Sequence, residues 1–258
     1  MASFSAQDFY DQLADDYHLI YGDWSQSVTR QGHALDALMR SHLGGAEPLD
    51  VLDCSCGIGT QAIGLAERGH RVVGSDLSPT AAARAAAEAR RRGLTLTTSA
   101  ADMRSLPFAD ASFDVVLSAD NSLAHLLTED DVRRAVGDMR RVLQDDGLLV
   151  LTAKDYGDAR QTRQHATVPQ VTDTDAGQVV TFQLWHWQDG DGTYGHGAHP
   201  TRAGRRHMAG PGAARDARAW ALKELASLVR ECGFRDVMWH GVEETHFFQP
   251  ALTARPVG

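Results

Sequence analysis

The stretch Val51-Leu-Asp-Cys-Ser-Cys-Gly-Ile-Gly-Thr60 decides how the rest of the chain is read. An apolar strand runs into a turn carrying Gly57 and Gly59, and a helical pattern follows. About twenty residues on, Val72-Val-Gly-Ser-Asp-Leu-Ser78 supplies a second strand that ends in a carboxylate, Asp76. Strand, glycine turn, helix, strand and acid make the first half of a nucleotide-binding βαβ unit. Glycine at 57 and 59 lets the backbone pass close to a ligand where a Cβ would collide. The Asp76 carboxylate is suited to accept hydrogen bonds from both hydroxyls of a ribose.

The same turn argues against a dinucleotide. A pyrophosphate seat needs G-x-G-x-x-G at the helix start, and Ser55-Cys56-Gly57-Ile58-Gly59-Thr60-Gln61-Ala62 has the wrong spacing, which disfavours a nicotinamide oxidoreductase. The form Asp-x-(Gly/Ser)-x-Gly-x-Gly-Thr, opening at Asp53, resembles motif I of the class I S-adenosylmethionine-dependent methyltransferases. That resemblance implies S-adenosyl-L-methionine as cofactor, held at Asp53, Gly57, Gly59 and Asp76. The cofactor has no phosphate, so the turn has no anion to cradle.

Bulk properties narrow the partners. The chain has 258 residues and a net charge of -9, enough for one domain with a good core or one domain with an inserted cap. The only basic run, Arg90-Arg91-Arg92, falls at a helix end, so no basic footprint for nucleic acid is present and a small-molecule acceptor is expected. No apolar stretch approaches the about eighteen residues of a membrane span, and residues 1–20 lack a basic and apolar leader pattern, so a cytoplasmic location is expected. A homo-oligomer is compatible with this composition. Cys54 and Cys56 lack a second pair of ligands, and with Cys232 remote they read as small turn residues, not a metal site.

Alternating patterns organise the remainder. Helices at 7–21 and 27–43 precede strand 49–54, helix 60–68, strand 71–75, helix 79–92, strands 95–99 and 113–118, helix 129–143 and strand 148–153. Ser78 before Pro79 marks a helix start, and Asp145-Asp146-Gly147 reads as the turn into the fifth strand. Strand 179–187, helix 219–232 and strands 235–241 and 246–254 complete the pattern. The expected fold is α/β: a doubly wound, Rossmann-like seven-stranded sheet with a C-terminal antiparallel hairpin and a small inserted β lid. The expected organisation is an N-terminal helical cap at 1–45, a cofactor-binding core at 46–155, an inserted lid or hairpin region at 156–218, and a closing helix and strands at 219–258.

Residues 195–218 stand apart, with no Val, Ile, Leu, Phe, Tyr or Trp. Such a stretch reads as a loop without a packed apolar face. Reading its codons one base later permits strand-like alternation through 194–200 and 207–218, so a locally frameshifted hairpin is the second reading.

The remaining site candidates lie at strand ends, where open α/β sheets bind ligands. Asp102, after the third strand, is placed to accept from an adenine amine wedged between Leu77 and Met103. The fourth strand opens into Asp120-Asn-Ser-Leu-Ala-His-Leu126, followed after the fifth by Lys154-Asp-Tyr156. With Tyr10, Tyr17, Tyr21 and Trp24 ahead of the sheet, the pattern resembles the glycine/sarcosine N-methyltransferase branch, with its Asn-Ser-x-x-His-Leu and Arg-Asn-Tyr-Asp runs. The resemblance implies that Arg30 neutralises the cofactor carboxylate, that Asn121 and Ser122 support the donor site and that His125 stands beside it. For Arg30 a helix-surface ion pair is the other reading, and for the four aromatics it is helix packing on the sheet. His125, Lys154 and Tyr156 are the catalytic candidates. Lys154 replaces the branch's Arg with a point charge in place of a rigid fork, and Asp155 replaces its Asn, which puts glycine itself in question. The implied activity is methyl transfer to an amine of a small, amino-acid-like metabolite. A small-molecule O-methyltransferase and a non-catalytic S-adenosylmethionine-binding protein remain the alternatives.

Overall fold

The computed structural model describes residues 5–157, 162–163, 165–174, 177–188, 192–202 and 215–258. Its centre is a seven-stranded sheet built from β1 (Asp50–Asp53), β2 (Arg71–Asp76), β3 (Thr97–Ala100), β4 (Phe113–Ser118), β5 (Leu143–Thr152), β10 (Phe234–His240) and β11 (Ala251–Pro256). The strand order is β10-β11-β5-β4-β1-β2-β3. The first five strands are parallel, and β11 enters antiparallel between β5 and β10. The order reverses at β1, so the ends of β1 and β4 splay apart into the crevice where such sheets bind ligands.

Successive strand residues supply both faces. Val51, Val115, Leu117 and Val150 pack beneath α2 (Trp24–Leu43), α3 (Thr60–Glu67) and α4 (Pro79–Arg91). Leu52, Val116, Leu149 and Leu151 pack on the other face against α5 (Glu129–Val142) and a helix we label α6 (Leu222–Glu231). All eight are fully buried, as the near-continuous apolar runs of these strands require when both faces are covered. The acids Glu129, Asp130 and Asp131 at the start of α5 and Arg140 and Arg141 at its end complement the helix dipole. Ser78 caps α4 by accepting from the Ala81 N–H at 3.0 Å, as its place before Pro79 predicts.

The first helical pattern divides in two, α1 (Ala6–Leu13) and a single 3-10 turn at Tyr17–Ile20, because Asp15 and Asp16 interrupt the apolar face. Asp11 on α1 accepts from Ser78 Oγ at 2.5 Å, and Arg84 of α4 donates to the Ala14 carbonyl, so α1 is fastened over the N-terminus of α4. Two expected boundaries move. Asp145-Asp146-Gly147 lies inside an irregular β5, since Leu143 already pairs with Phe113. The last strand begins at Ala251, and 246–250 forms a loop that carries Gln249 toward the site.

Between β5 and α6 the chain forms a second, four-stranded antiparallel sheet: β6 (Gln170–Thr174), β7 (Gly177–Trp187), β8 (Thr193–Arg202) and β9 (Arg215–Arg218). The loop expected from composition at 195–218 is therefore corrected at 195–202 and 215–218, which are paired strands as the chain stands. A backbone ladder needs no apolar side chains of its own, and β7 supplies a long template from Val179 to Trp187. Tyr194 and Ala217 are buried with Trp185 and Tyr156. Residues 203–214, which carry part of the shifted-frame reading, lie outside the described residues.

α2 and α3 touch backbone to backbone. A Cβ on Gly64 would stand 2.4 Å from the Val28 carbonyl oxygen, and one on Gly32 would stand 2.4 Å from the Gly64 carbonyl carbon. No rotamer relieves a clash with main chain, so Gly64→Ala should push α2 off the helix that follows the ligand turn and lower stability by about 2–3 kcal/mol. Urea denaturation curves check this; an unchanged midpoint would mean the two helices separate at little cost.

Candidate active site

The glycine turn is built as its residues require. Gly57 has φ +50° and Gly59 has φ +96°, both in the left-handed region. A Cβ on Gly59 would meet Ile63 Cδ1 at 2.8 Å, so this glycine serves the packing of α3. At Gly57 a Cβ would meet nothing within 4 Å; it would project into the open crevice. Asp76 closes the turn from the side. Its Oδ2 accepts from the Gly57 N–H at 2.8 Å and its Oδ1 from the Ser78 N–H at 2.9 Å.

Two cavities meet above these strand ends. The larger, about 290 Å³, is lined by Gly57, Asp76, Leu77, Asp102, Met103 and Ser122, with Ser55, Cys56, Ile58, Thr60 and Gln61 from the turn and Tyr21 from the cap. The smaller, about 110 Å³, is lined by Asn121, Lys154, Tyr156, Gln183, Trp185, Tyr194 and Gln249, with Phe9, Leu13 and Ile20 above. Tyr10, Tyr17, Asp120 and His125 line both. The aperture between the cavities is thus made of two phenols, an imidazole and a carboxylate.

Each group in the aperture has a partner that holds it. Tyr10 Oη and His125 Nε2 are 3.0 Å apart. Tyr17 and Tyr21 donate to Asp120 Oδ2 at 3.5 and 3.2 Å, and Gln249 Nε2 donates to Oδ1 at 3.4 Å. Burial, then the Asp120 charge, pushes the Tyr21 phenol well above its ordinary range, so it stays a donor. In the smaller cavity Asn121 Nδ2 donates to Tyr156 Oη at 2.6 Å, and Tyr156 and Tyr194 share a 2.6 Å hydrogen bond. Lys154 lays its ammonium 3.7 Å from the centre of the Trp185 ring. Among the described residues it has no carboxylate within ion-pair distance, and burial lowers its pKa to about 8.

The other sequence candidates fall in three places. Asp102 is bound in both oxygens by Arg104, at 2.6 Å to Nη2, and that partner holds its carboxyl below the usual range while it still faces the larger cavity. Asp53 is completely buried behind the turn: Oδ1 accepts from the Ser55 N–H at 3.3 Å, and Oδ2 has no hydrogen-bond partner. Burial raises its pKa to about 7. Arg30 stands on the exposed face of α2, outside the lining of either cavity. Asp155 is exposed and accepts from the Gly157 N–H. Trp24 is also outside the cavities, hydrogen-bonded to Thr60 at 2.9 Å with Arg84 and Arg92 over its ring. Gln183, Trp185, Tyr194 and Gln249 carry no local signal: their strands and loop read as ordinary alternation, and only the docking of the second sheet makes them lining residues. No cluster of metal-ligating side chains occurs among the described residues, and no helix among them is long and apolar enough to cross a membrane.

The residues of the larger cavity suit an adenosyl group. Gly57 leaves the crevice open, Asp76 stands ready for hydroxyls, and Leu77, left 39% exposed, offers an apolar edge beside Met103. Comparison with known proteins agrees with this chemistry. Residues 51–147 match the family described as a methyltransferase domain. A glycine/sarcosine N-methyltransferase of Parasynechococcus marenigrum (strain WH8102) is 35% identical over 151 residues, 58% of this chain and 52% of that protein. The chain therefore spans about half the length of that relative. Among solved structures, the CcbJ methyltransferase from Streptomyces caelestis superposes with a TM-score of 0.76 at 19% identity, covering 99% of this chain and 100% of that one. The sugar N-methyltransferase KedS8 from Streptoalloteichus sp ATCC 53650 superposes with a TM-score of 0.73 at 22% identity, covering 94% and 93%. The fold and the glycine turn thus define a class I methyltransferase domain. S-adenosylmethionine is the cofactor that this domain is built to hold.

Two measurements test the donor half of the site. Asp76→Ala should weaken S-adenosylmethionine binding by about 1–3 kcal/mol, through loss of a charged acceptor in a semi-enclosed cleft; titration calorimetry showing unchanged affinity would remove Asp76 from it. For Asp53 the sign follows from a folded-state pKa near 7 against an ordinary 3.8. The protonated form favours the fold, so its contribution is complete below about 4 and is lost as pH rises through about 7. The cofactor-free Asp53→Asn protein should gain stability relative to the native chain over that window, and parallel melting curves across it would show instead that Asp53 does not titrate there.

Proposed function

We propose that this chain transfers a methyl group from S-adenosylmethionine to a nitrogen of a small polar acceptor. The observation that carries the reading is the pair of cavities joined through one polar aperture: a larger one with nucleoside-binding residues, and a smaller one that admits only a small molecule. Bound in the larger cavity, the cofactor supplies a methyl group already activated on a sulfonium. The protein's task is then to hold the acceptor lone pair in line with that methyl, about 3 Å away and clear of water. Transfer to that nitrogen would form a C–N bond as the cofactor's C–S bond breaks, the electrons of that bond staying on sulfur. The amine proton is given up before attack, and the His125 and Tyr10 pair stands at the aperture to pass it outward. The second sheet serves as the lid, because Trp185, Tyr194 and Gln183 close the side of the acceptor cavity that the Rossmann core leaves open.

Lys154 supports an acceptor that bears a carboxylate. It is a half-buried cation in the acceptor cavity, and an anionic substrate group would supply the counter-charge. The name of the relative from Parasynechococcus marenigrum supports the same acceptor class. A screen with methyl-labelled donor over amino acids, amines, amino sugars and phenols tests the proposal. Label should pass to amines; label passing only to phenols would indicate an O-methyltransferase, and tight donor binding with no transfer to any acceptor would indicate a non-catalytic binder.

The lysine also sets a pH dependence. Its ammonium loses charge as pH rises through about 8, so KM for a carboxylate-bearing amine should rise above that point. Lys154→Arg keeps its charge and offers a bidentate fork, so it should flatten the rise and improve use of such acceptors. Initial-rate profiles for glycine and sarcosine with both proteins check this, and superimposable profiles would exclude Lys154 as the carboxylate contact.

A further inference from the structure

Asp120 is the residue that most of the local architecture is arranged to hold. It stands just beyond β4 at φ +54° and is followed by Asn121 at φ +63°, two consecutive left-handed residues that are not glycine. Such strain persists only where the surroundings over-determine it. Here β5 does so: the Asp120 N–H donates to Thr152 Oγ1 at 2.9 Å and the Asn121 N–H to the Thr152 carbonyl at 3.2 Å. The side chain is then braced from both ends of the chain, by Tyr17 and Tyr21 of the cap and by Gln249 before β11. Those three donors are neutral. They fix the direction of the carboxylate at the aperture where the two cavities meet.

From this geometry we infer that Asp120 is the acceptor-selecting residue, its carboxylate holding the substrate amine at the aperture between the two cavities. A charged acceptor bonds an ammonium or amine N–H about twice as strongly as a neutral one, and the Tyr10 and Tyr17 rings beside it add a cation-attracting wall. As the nitrogen becomes positive during transfer, a fixed carboxylate nearby stabilises that charge. A hydroxyl acceptor, which loses its proton as it is methylated and ends neutral, gains less from that fixed charge. The site is thereby biased toward nitrogen. The inference rests on the methyl-transfer reading for the group delivered, but the binding it describes is measurable without transfer.

The experiment compares the native chain with Asp120→Asn, which keeps the size of the side chain and accepts a left-handed backbone equally well. Glycine, sarcosine, n-propylamine and n-propanol serve as probes, in methyl-transfer assays and in calorimetry on protein loaded with S-adenosylhomocysteine. S-adenosylhomocysteine affinity should stay within about threefold, while KM and Kd for the amines rise about tenfold or more with kcat changing less and the alcohol unaffected. Tyr21→Phe, which removes one brace and keeps the charge, should retain the preference for amine over alcohol. If the Asn variant loses S-adenosylhomocysteine affinity as steeply as amine affinity, Asp120 belongs to the donor site and the inference falls. Amine KM and Kd unchanged in the variant, or a native chain that binds no amine probe, overturns it as well. Amine binding that depends on Asp120 in a native chain that transfers no methyl would uphold the inference and defeat the transfer reading.

Discussion

The hydrogen bond from the Gly57 N–H to the Asp76 carboxylate, 2.8 Å long, is the constraint on which the rest of the site depends. It ties the turn after β1 to the end of β2 at the point where the sheet order reverses and the strand ends open. The same contact holds the turn clear of the crevice, since a left-handed Gly57 presents its N–H sideways and leaves no side chain in the ligand's path. Behind it, the backbone contact of Gly32 with Gly64 locks α2 against α3, so that the helix leaving the turn cannot drift. A ligand that replaces bulk water here meets a carboxylate already oriented, and no reorganisation is required when it binds.

A second level of organisation converges on Asp120. The N-terminal cap, β5 and the loop before β11 all send groups to it, although they come from widely separated parts of the chain. The cap is not held by apolar packing alone. Asp11 and Arg84 pin it to α4 by charged and capping contacts over the larger cavity, while Phe9 and Leu13 cover the smaller one. The two cavities therefore share one roof, and the acceptor end is completed from the other side by the second sheet. Lys154 and Trp185 mark that junction: the lysine comes from the end of β5 and the ring from β7, and they meet face to cation at 3.7 Å.

Much of the core was legible in residues. Strands buried on both faces read as apolar runs, the glycine turn and Asp76 announce their geometry by spacing, and Ser78-Pro79 announces a helix start; each is a local rule in which a few consecutive residues carry the whole signal. Boundaries failed where a tertiary contact overrode the local rule. Asp145-Asp146-Gly147 has turn composition yet lies within β5, because Leu143 finds Phe113 across the sheet. Residues 195–202 lack strand composition yet pair along their length, because β7 offers an unsatisfied edge.

By itself the sequence determined the sheet, its helices and the class of ligand that fits the glycine turn, because those features depend on side-chain period, on backbone freedom at Gly57 and Gly59, and on one carboxylate at a strand end. The tertiary structure alone decided which polar groups face the reaction space. Asp53 reads as a ligand residue and is sealed behind the turn, Arg30 reads as a cofactor contact and stands on an exposed helix face, and Gln249 and Trp185 read as nothing in particular and line the acceptor cavity. The physical reason is that a site of this kind is a meeting of separate elements at one end of a sheet. Local residue patterns specify each element, but which of its side chains points into the shared space is set by how the elements pack.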